Sequence, residues 1–95
     1  MHEGLGREAA ERIARSLRAL ADPTRVQLLA LIVESPDARR SVTDLADALG
    51  LTQPTVSHHT KALSDAGLIT GEKRGRWVYW KVSPGQPELL RQVLS

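Results

Sequence analysis

Apolar residues along the chain recur first at helical spacing, then in alternation, then in a short tail. From Arg7 to Leu20, the stripe Ile13, Leu17 and Leu20, flanked by Ala10 and Ala14, leaves Arg12, Arg15 and Arg18 outside it, the mark of an amphipathic helix. Asp22 then offers an N-cap, and Pro23 sits at a first helical position where a missing N–H costs nothing. A second helix is expected through Val26, Leu29, Ile32 and Val33, stopping before Pro36. It is the most apolar of the helices and is expected at the centre. After the polar loop SPDARR, Ser41 with Asp44 three residues on resembles a capping box, followed by Leu45, Ala46 and Leu49 and a terminal Gly50.

Only Gly50, Leu51 and Thr52 separate that short helix from the next, which opens on Thr52, carries Pro54 in its first turn and closes at Gly67, so the pair reads as a helix-turn-helix. Beyond Gly67, the stretches Leu68 to Lys73 and Trp77 to Val82 flank Lys73-Arg74-Gly75-Arg76 and read as a β-hairpin. The tail PGQPELLRQVLS predicts a short helix from Pro87. The expected fold class is α+β, mostly α: helices including a helix-turn-helix, a two-stranded β-hairpin and a short C-terminal helix, in one domain spanning 1–95.

Composition narrows what such a chain does. At 95 residues it is long enough to bury about 60–65% of the surface its unfolded form exposes. The absence of cysteine excludes disulfides, thiolate nucleophiles and sulfur-based metal sites. No apolar run approaches a membrane span and Met1 to Ala10 is too polar for a secretory leader, so a cytoplasmic location is expected. The formal net charge is only +2, but Lys61, Lys73, Arg74, Arg76 and Lys81 face only Asp65 and Glu72 between Gln53 and Val82, a footprint for polyanions.

The neighbouring histidines of TQPTVSHHTKALSDAGLI decide between chemistries. With Val56 taken as the core direction, successive steps of about 100° place Thr60 and Leu63 beside it, His59 on its flank, and Pro54, Ser57, His58, Lys61 and Asp65 on the far side. His58 and His59 then diverge and do not share a metal ion. Ser57 and His58, one residue apart, are not a nucleophile and its base, and no acid is placed to orient the imidazole, so no enzymatic activity is expected. A hydroxyl, an imidazole and an ammonium on one face suit the edges of bases in a DNA major groove. The Thr52 hydroxyl and the helix N-terminal N–H groups suit a phosphate, and Lys73, Arg74 and Arg76 suit the neighbouring backbone or minor groove. Each charge alone reads equally well as a solvated surface; the combination points to double-stranded DNA.

The stretches LADPTRVQLLALI, DLADALGLTQPTVSHHTKALSDAGLI and GRWVYWKV resemble the winged helix-turn-helix regulators of the arsenical-repressor (ArsR/SmtB) family, from Leu17 to Val82. The resemblance implies a homodimeric bacterial repressor that leaves its operator on binding an effector. It also implies DNA contact by Thr52, Gln53, Thr55, Ser57, His58 and Lys61, with Arg74 and Arg76 on the wing, and dimerisation through the first and last helices. Ile13, Leu17, Leu89, Leu90, Val93 and Leu94 are more apolar side chains than two short terminal helices hide alone, which independently points to a symmetric homodimer.

The chain departs from the family at its sensor sites. Where thiolate sensors carry cysteines, SVTDL places Ser41 and Thr43, and the tail contains Glu88 but no histidine. Thr60 stands where a leucine is common. His2, with Glu3, Glu8, Glu11 and Glu88, offers a hard-ligand set suited to nickel, cobalt or zinc, though the same residues read more simply as a solvated N-terminus and helix face. A small organic effector, a partner protein and a winged helix that binds protein rather than DNA stay open as alternatives.

Overall fold

The computed structural model describes residues 5–35, 37 and 39–84. Its elements follow in the order α1 (Arg7–Leu20), α2 (Pro23–Glu34), β1 (Arg39–Ser41), α3 (Val42–Leu49), α4 (Gln53–Asp65), β2 (Ile69–Arg74) and β3 (Trp77–Val82). None of the described helices is long and apolar enough to cross a membrane. The expected tail helix, with Leu89, Leu90, Val93 and Leu94, lies outside the described residues, as do His2, Glu3 and Glu88.

The helix boundaries arise from local chemistry. Asp22 accepts a hydrogen bond from the Arg25 N–H at 3.1 Å and Pro23 follows it, which starts α2. Ser41 Oγ accepts from the Asp44 N–H at 3.1 Å to start α3, and Thr52 Oγ1 accepts from the Thr55 N–H at 3.3 Å to start α4. Between α3 and α4 the chain turns on Gly50, whose φ of 66° lies in the left-handed region. Its N–H and that of Leu51 close the last turn of α3 onto Asp47 O and Ala46 O.

Leu28 and Ile32 of α2, Leu45 and Ala46 of α3, Val56 and Leu63 of α4, and Leu68 and Ile69 at the entry to β2 form the core together with Ala19. Of the apolar residues that mark α2 in the sequence, Ile32 is in the core and Leu29 packs against it, but Val26 and Val33 face outward. Val26 and Val33 are 50% and 55% exposed, while Leu28 is fully buried. A helix that is apolar nearly all round gives its pattern no phase, so the register of packing against α3 and α4 chose the buried row. In α1 the buried residues are Ile13, Ser16 and Ala19, so the expected stripe is also rotated: Leu17 is exposed and Ser16 takes an inward place by donating to Arg12 O at 3.2 Å.

The expected hairpin forms, with Ile69 opposite Val82 and Arg74 opposite Trp77. Gly75, at φ 63°, begins the two-residue turn between the strands. The segment read as a polar loop ends in a strand: Arg39–Ser41 pairs antiparallel with β3, Arg39 opposite Lys81 and Ser41 opposite Tyr79, giving the sheet order β1-β3-β2. Three polar residues carry no alternation of their own; the open edge of β3 supplies the partner. The single proton of Ser35 Oγ is shared between Ile32 O (2.7 Å) and Arg39 O (2.9 Å), anchoring the entry to β1.

The turn between α3 and α4 gives a direct check. A Cβ at Gly50 would meet open space, so Gly50→Ala meets only the backbone cost of the left-handed conformation, and urea unfolding should show a loss of about 1–2 kcal/mol.

Candidate nucleic-acid interface

The phase of α4 follows from its buried row. Val56, Thr60 and Leu63 are buried, and the Thr60 hydroxyl is satisfied by donating to Ser57 O at 3.2 Å, so the threonine at this position costs the core no unpaired group. Gln53, Pro54, Thr55, Ser57, His58, Lys61 and Asp65 are exposed, as the wheel places them.

At the helix start, Thr52 Oγ1 and Thr55 Oγ1 lie 2.9 Å apart and share one hydroxyl proton; the other is free to donate outward. The backbone offers less than the sequence suggests. Pro54 has no N–H, and those of Thr55 and Val56 are taken by Thr52 Oγ1 and Thr52 O. Gln53 is left as the first-turn backbone donor, while its side-chain amide donates to Thr43 Oγ1 on α3 at 3.4 Å. Lys61 reaches Asp65 at 3.0 Å with both side chains largely exposed, a pair easily exchanged for phosphate.

The two histidines separate by environment. His58 is exposed, whereas His59 is half-buried and its Nδ1 accepts a hydrogen bond from Arg25 Nε at 3.1 Å. Arg25 also donates to Ala19 O at 3.4 Å, so one guanidinium ties α1, α2 and α4 together. The imidazoles diverge less than a wheel implies: their ring centroids are 5.5 Å apart at 66°, edge to face, because adjacent side chains lean together where the helix surface leaves room. With Nδ1 of His59 engaged by a cation, the pair is not arranged for a metal. Among the described residues no three His, Asp or Glu side chains gather to hold one. Of the N-terminal acidic residues, Glu8 is exposed and Glu11 pairs with Arg7 at 3.1 Å along the helix. Ile13, expected at a subunit interface, is only 4% exposed in the single chain, so of the α1 pair only Leu17 stands free for a partner.

Strand register sorts the wing into two faces. Ile69, Trp80 and Val82 pack towards the core, and Thr70, Glu72, Arg74, Trp77, Tyr79 and Lys81 lie on the other side, joined by Arg39 from β1. There Glu72 accepts from Arg74 Nε, from Arg39 Nη1 at 2.9 Å and from Lys81 Nζ at 3.1 Å. Hydrogen bonds from Arg74 and then Lys81 hold its carboxyl well below the ordinary range, at about 2. Lys73 and Arg76 are exposed, and so is Trp77, at 51%. Sequence reasoning assigned no role to Arg39, Trp77 or Arg25; only the strand pairing and helix packing bring them to these places. Among the described residues no hydrogen bond or ion pair joins the α4 set to the wing set, so each is positioned by its own contacts with the core.

Residues 22–70 match the sequence profile of the bacterial regulatory protein, arsR family. The HTH-type transcriptional repressor SmtB of Mycobacterium tuberculosis is 40% identical over 77 residues, covering 81% of this chain and 55% of the relative. The chain thus spans little more than half the length of that curated relative. Among solved structures, the homodimeric winged helix-turn-helix DNA-binding domain of a possible ArsR-family transcriptional regulator from Mycobacterium bovis superposes with a TM-score of 0.75 at 28% identity, covering 99% of this chain and 84% of that one. HlyU from Vibrio cholerae superposes with a TM-score of 0.79 at 25% identity, covering 94% of each chain.

The depressed Glu72 carboxyl sets a pH dependence. A carboxylate lowered from its ordinary value near 4.5 to about 2 contributes stability that is present above pH 4.5 and lost as pH falls through 2. Near-ultraviolet circular dichroism of Trp77 and Trp80 should therefore show the wing loosening across that window, and Glu72→Gln should abolish this transition.

Proposed function

Since the chain belongs to the arsR family of bacterial regulatory proteins, we propose that it binds double-stranded operator DNA as a homodimeric repressor. The observation that carries this reading is the division of α4: Val56, Thr60 and Leu63 are fully committed to the core while Gln53, Thr55, Ser57, His58 and Lys61 stand exposed beside a capped N-terminus. Side chains of this length at a helix start reach base edges in a major groove.

In this reading Thr52 and the Gln53 N–H hold a phosphate, and Gln53, Thr55, Ser57 and His58 face base edges. Lys61 exchanges Asp65 for the backbone, and Arg74 and Arg76 follow the adjacent groove. His58 is exposed, and an imidazole N–H can donate to either a base edge or a phosphate. The homodimeric mycobacterial neighbour supports a two-fold assembly, in which two copies of α4 address half-sites about 34–36 Å apart on an inverted repeat. Leu17 on α1 contributes to that interface. Release of the operator by an effector belongs to the same proposal, as does action within the cytoplasm.

Titration of operator and random duplexes in increasing salt tests it. The wild-type chain should bind both, with a steep loss of affinity as salt rises and a preference for an inverted repeat. His58→Ala should cost about 1–3 kcal/mol of operator affinity and leave the thermal midpoint in place. His59→Ala, which leaves Arg25 Nε without its acceptor, should lower the midpoint by the equivalent of about 1 kcal/mol. Binding of no duplex at low salt would refute the proposal.

A further inference from the structure

Three cations converge on one carboxylate on the outer face of the wing. Glu72 Oε1 accepts from Arg39 Nη1 at 2.9 Å and from Arg74 Nε, and Oε2 accepts from Lys81 Nζ at 3.1 Å. Arg39 is also within 3.9 Å of Asp37. These ion pairs steady the hairpin, but Glu72 neutralises only one of the three cations, so the cluster keeps an excess of positive charge that holding strands together does not require. The donor geometry is that of a bound phosphate: two guanidinium groups and an ammonium around a pair of anionic oxygens. Arg74 donates to Glu72 through Nε, and among the described residues its Nη groups make no hydrogen bond.

We propose that Glu72 acts as an internal substitute for DNA phosphate, holding Arg39, Arg74 and Lys81 back from random duplex and thereby setting the ratio of operator to random-DNA affinity. Lys73 and Arg76, exposed and without an acidic partner among the described residues, remain the wing's freely available charges. On random DNA, where affinity comes from phosphate contacts, the wing engages mainly through those two. On the operator, where α4 fixes the register through base edges, Arg74 presents its free edge in an orientation that Glu72 has already set. The carboxylate stays ionised down to about pH 2, so the substitution persists under all physiological conditions.

This inference rests on the DNA-binding reading, and its test separates the two. Affinities for operator and random duplex are measured across a salt series for wild type, Glu72→Gln and Glu72→Asp. Glu72→Gln should bind random duplex about three- to tenfold more tightly at low salt, with a slope of log affinity against log salt steeper by about one for each released cation that meets phosphate. Operator affinity should gain less, so the specificity ratio falls, and Glu72→Asp should behave as wild type. Adding Lys81→Gln to Glu72→Gln should remove about one unit of the added slope. An unchanged slope in Glu72→Gln overturns the proposal. So does weaker random-duplex binding, whether the hairpin melts or not, since the cations would then be held in place rather than held back. A wild-type chain that binds no duplex at all refutes the DNA-binding reading instead.

Discussion

Val56, Thr60 and Leu63 leave almost nothing of one face of α4 to water, and the rest of the interface is placed by that burial. Burying Val56 and Leu63 is worth about 1.5–3 kcal/mol each against exposure, so a rotation that brought Ser57 or Lys61 inward would forfeit both at once. Leu28 and Ile32 of α2 and Leu45 of α3 complete the contact, and the turn at Gly50 holds α3 and α4 at the spacing it requires. The polar face therefore has one orientation. Its rigidity comes from the core behind it, which is what a surface that reads base edges needs.

Much of α4 was legible in the sequence because its two faces differ chemically and both ends are signalled. Thr52, Pro54 and Gly67 mark the limits, and the apolar residues have a single possible phase. In α2 the sequence offers no phase, since Val26 and Val33 are as apolar as Leu28 and only packing distinguishes them. The flank position of His59 followed from the wheel, but its partner Arg25 lies 34 residues earlier and no local pattern announces it. The wing was read as a hairpin from its turn and alternation; its third strand was not, because Arg39–Ser41 takes its structure from the edge of β3. The contact of Arg39 with Glu72 spans 33 residues and exists only once that register is set.

The α4 and wing sets are seated separately on one core. The core orients the first, and Trp80, Val82 and Ile69 seat the second against the same core, so the sheet's inner face does for the wing what Val56 and Leu63 do for α4. The outer face of the wing is governed by charge rather than by packing, with Glu72 at its centre and Trp77 half exposed nearby. Family membership is consistent with this division: the 22–70 match spans α2 to the start of β2, the part of the chain in which burial decides orientation.

The central claim is that the exposed face of α4 and the wing form one DNA-binding surface. Amide chemical-shift changes on titration with duplex test it most directly. The account predicts the largest changes from Thr52 to Lys61 and from Lys73 to Trp77, with Val26 and Val33 on the outer side of α2 unaffected. Changes centred on α2, with α4 and the wing silent, would contradict it.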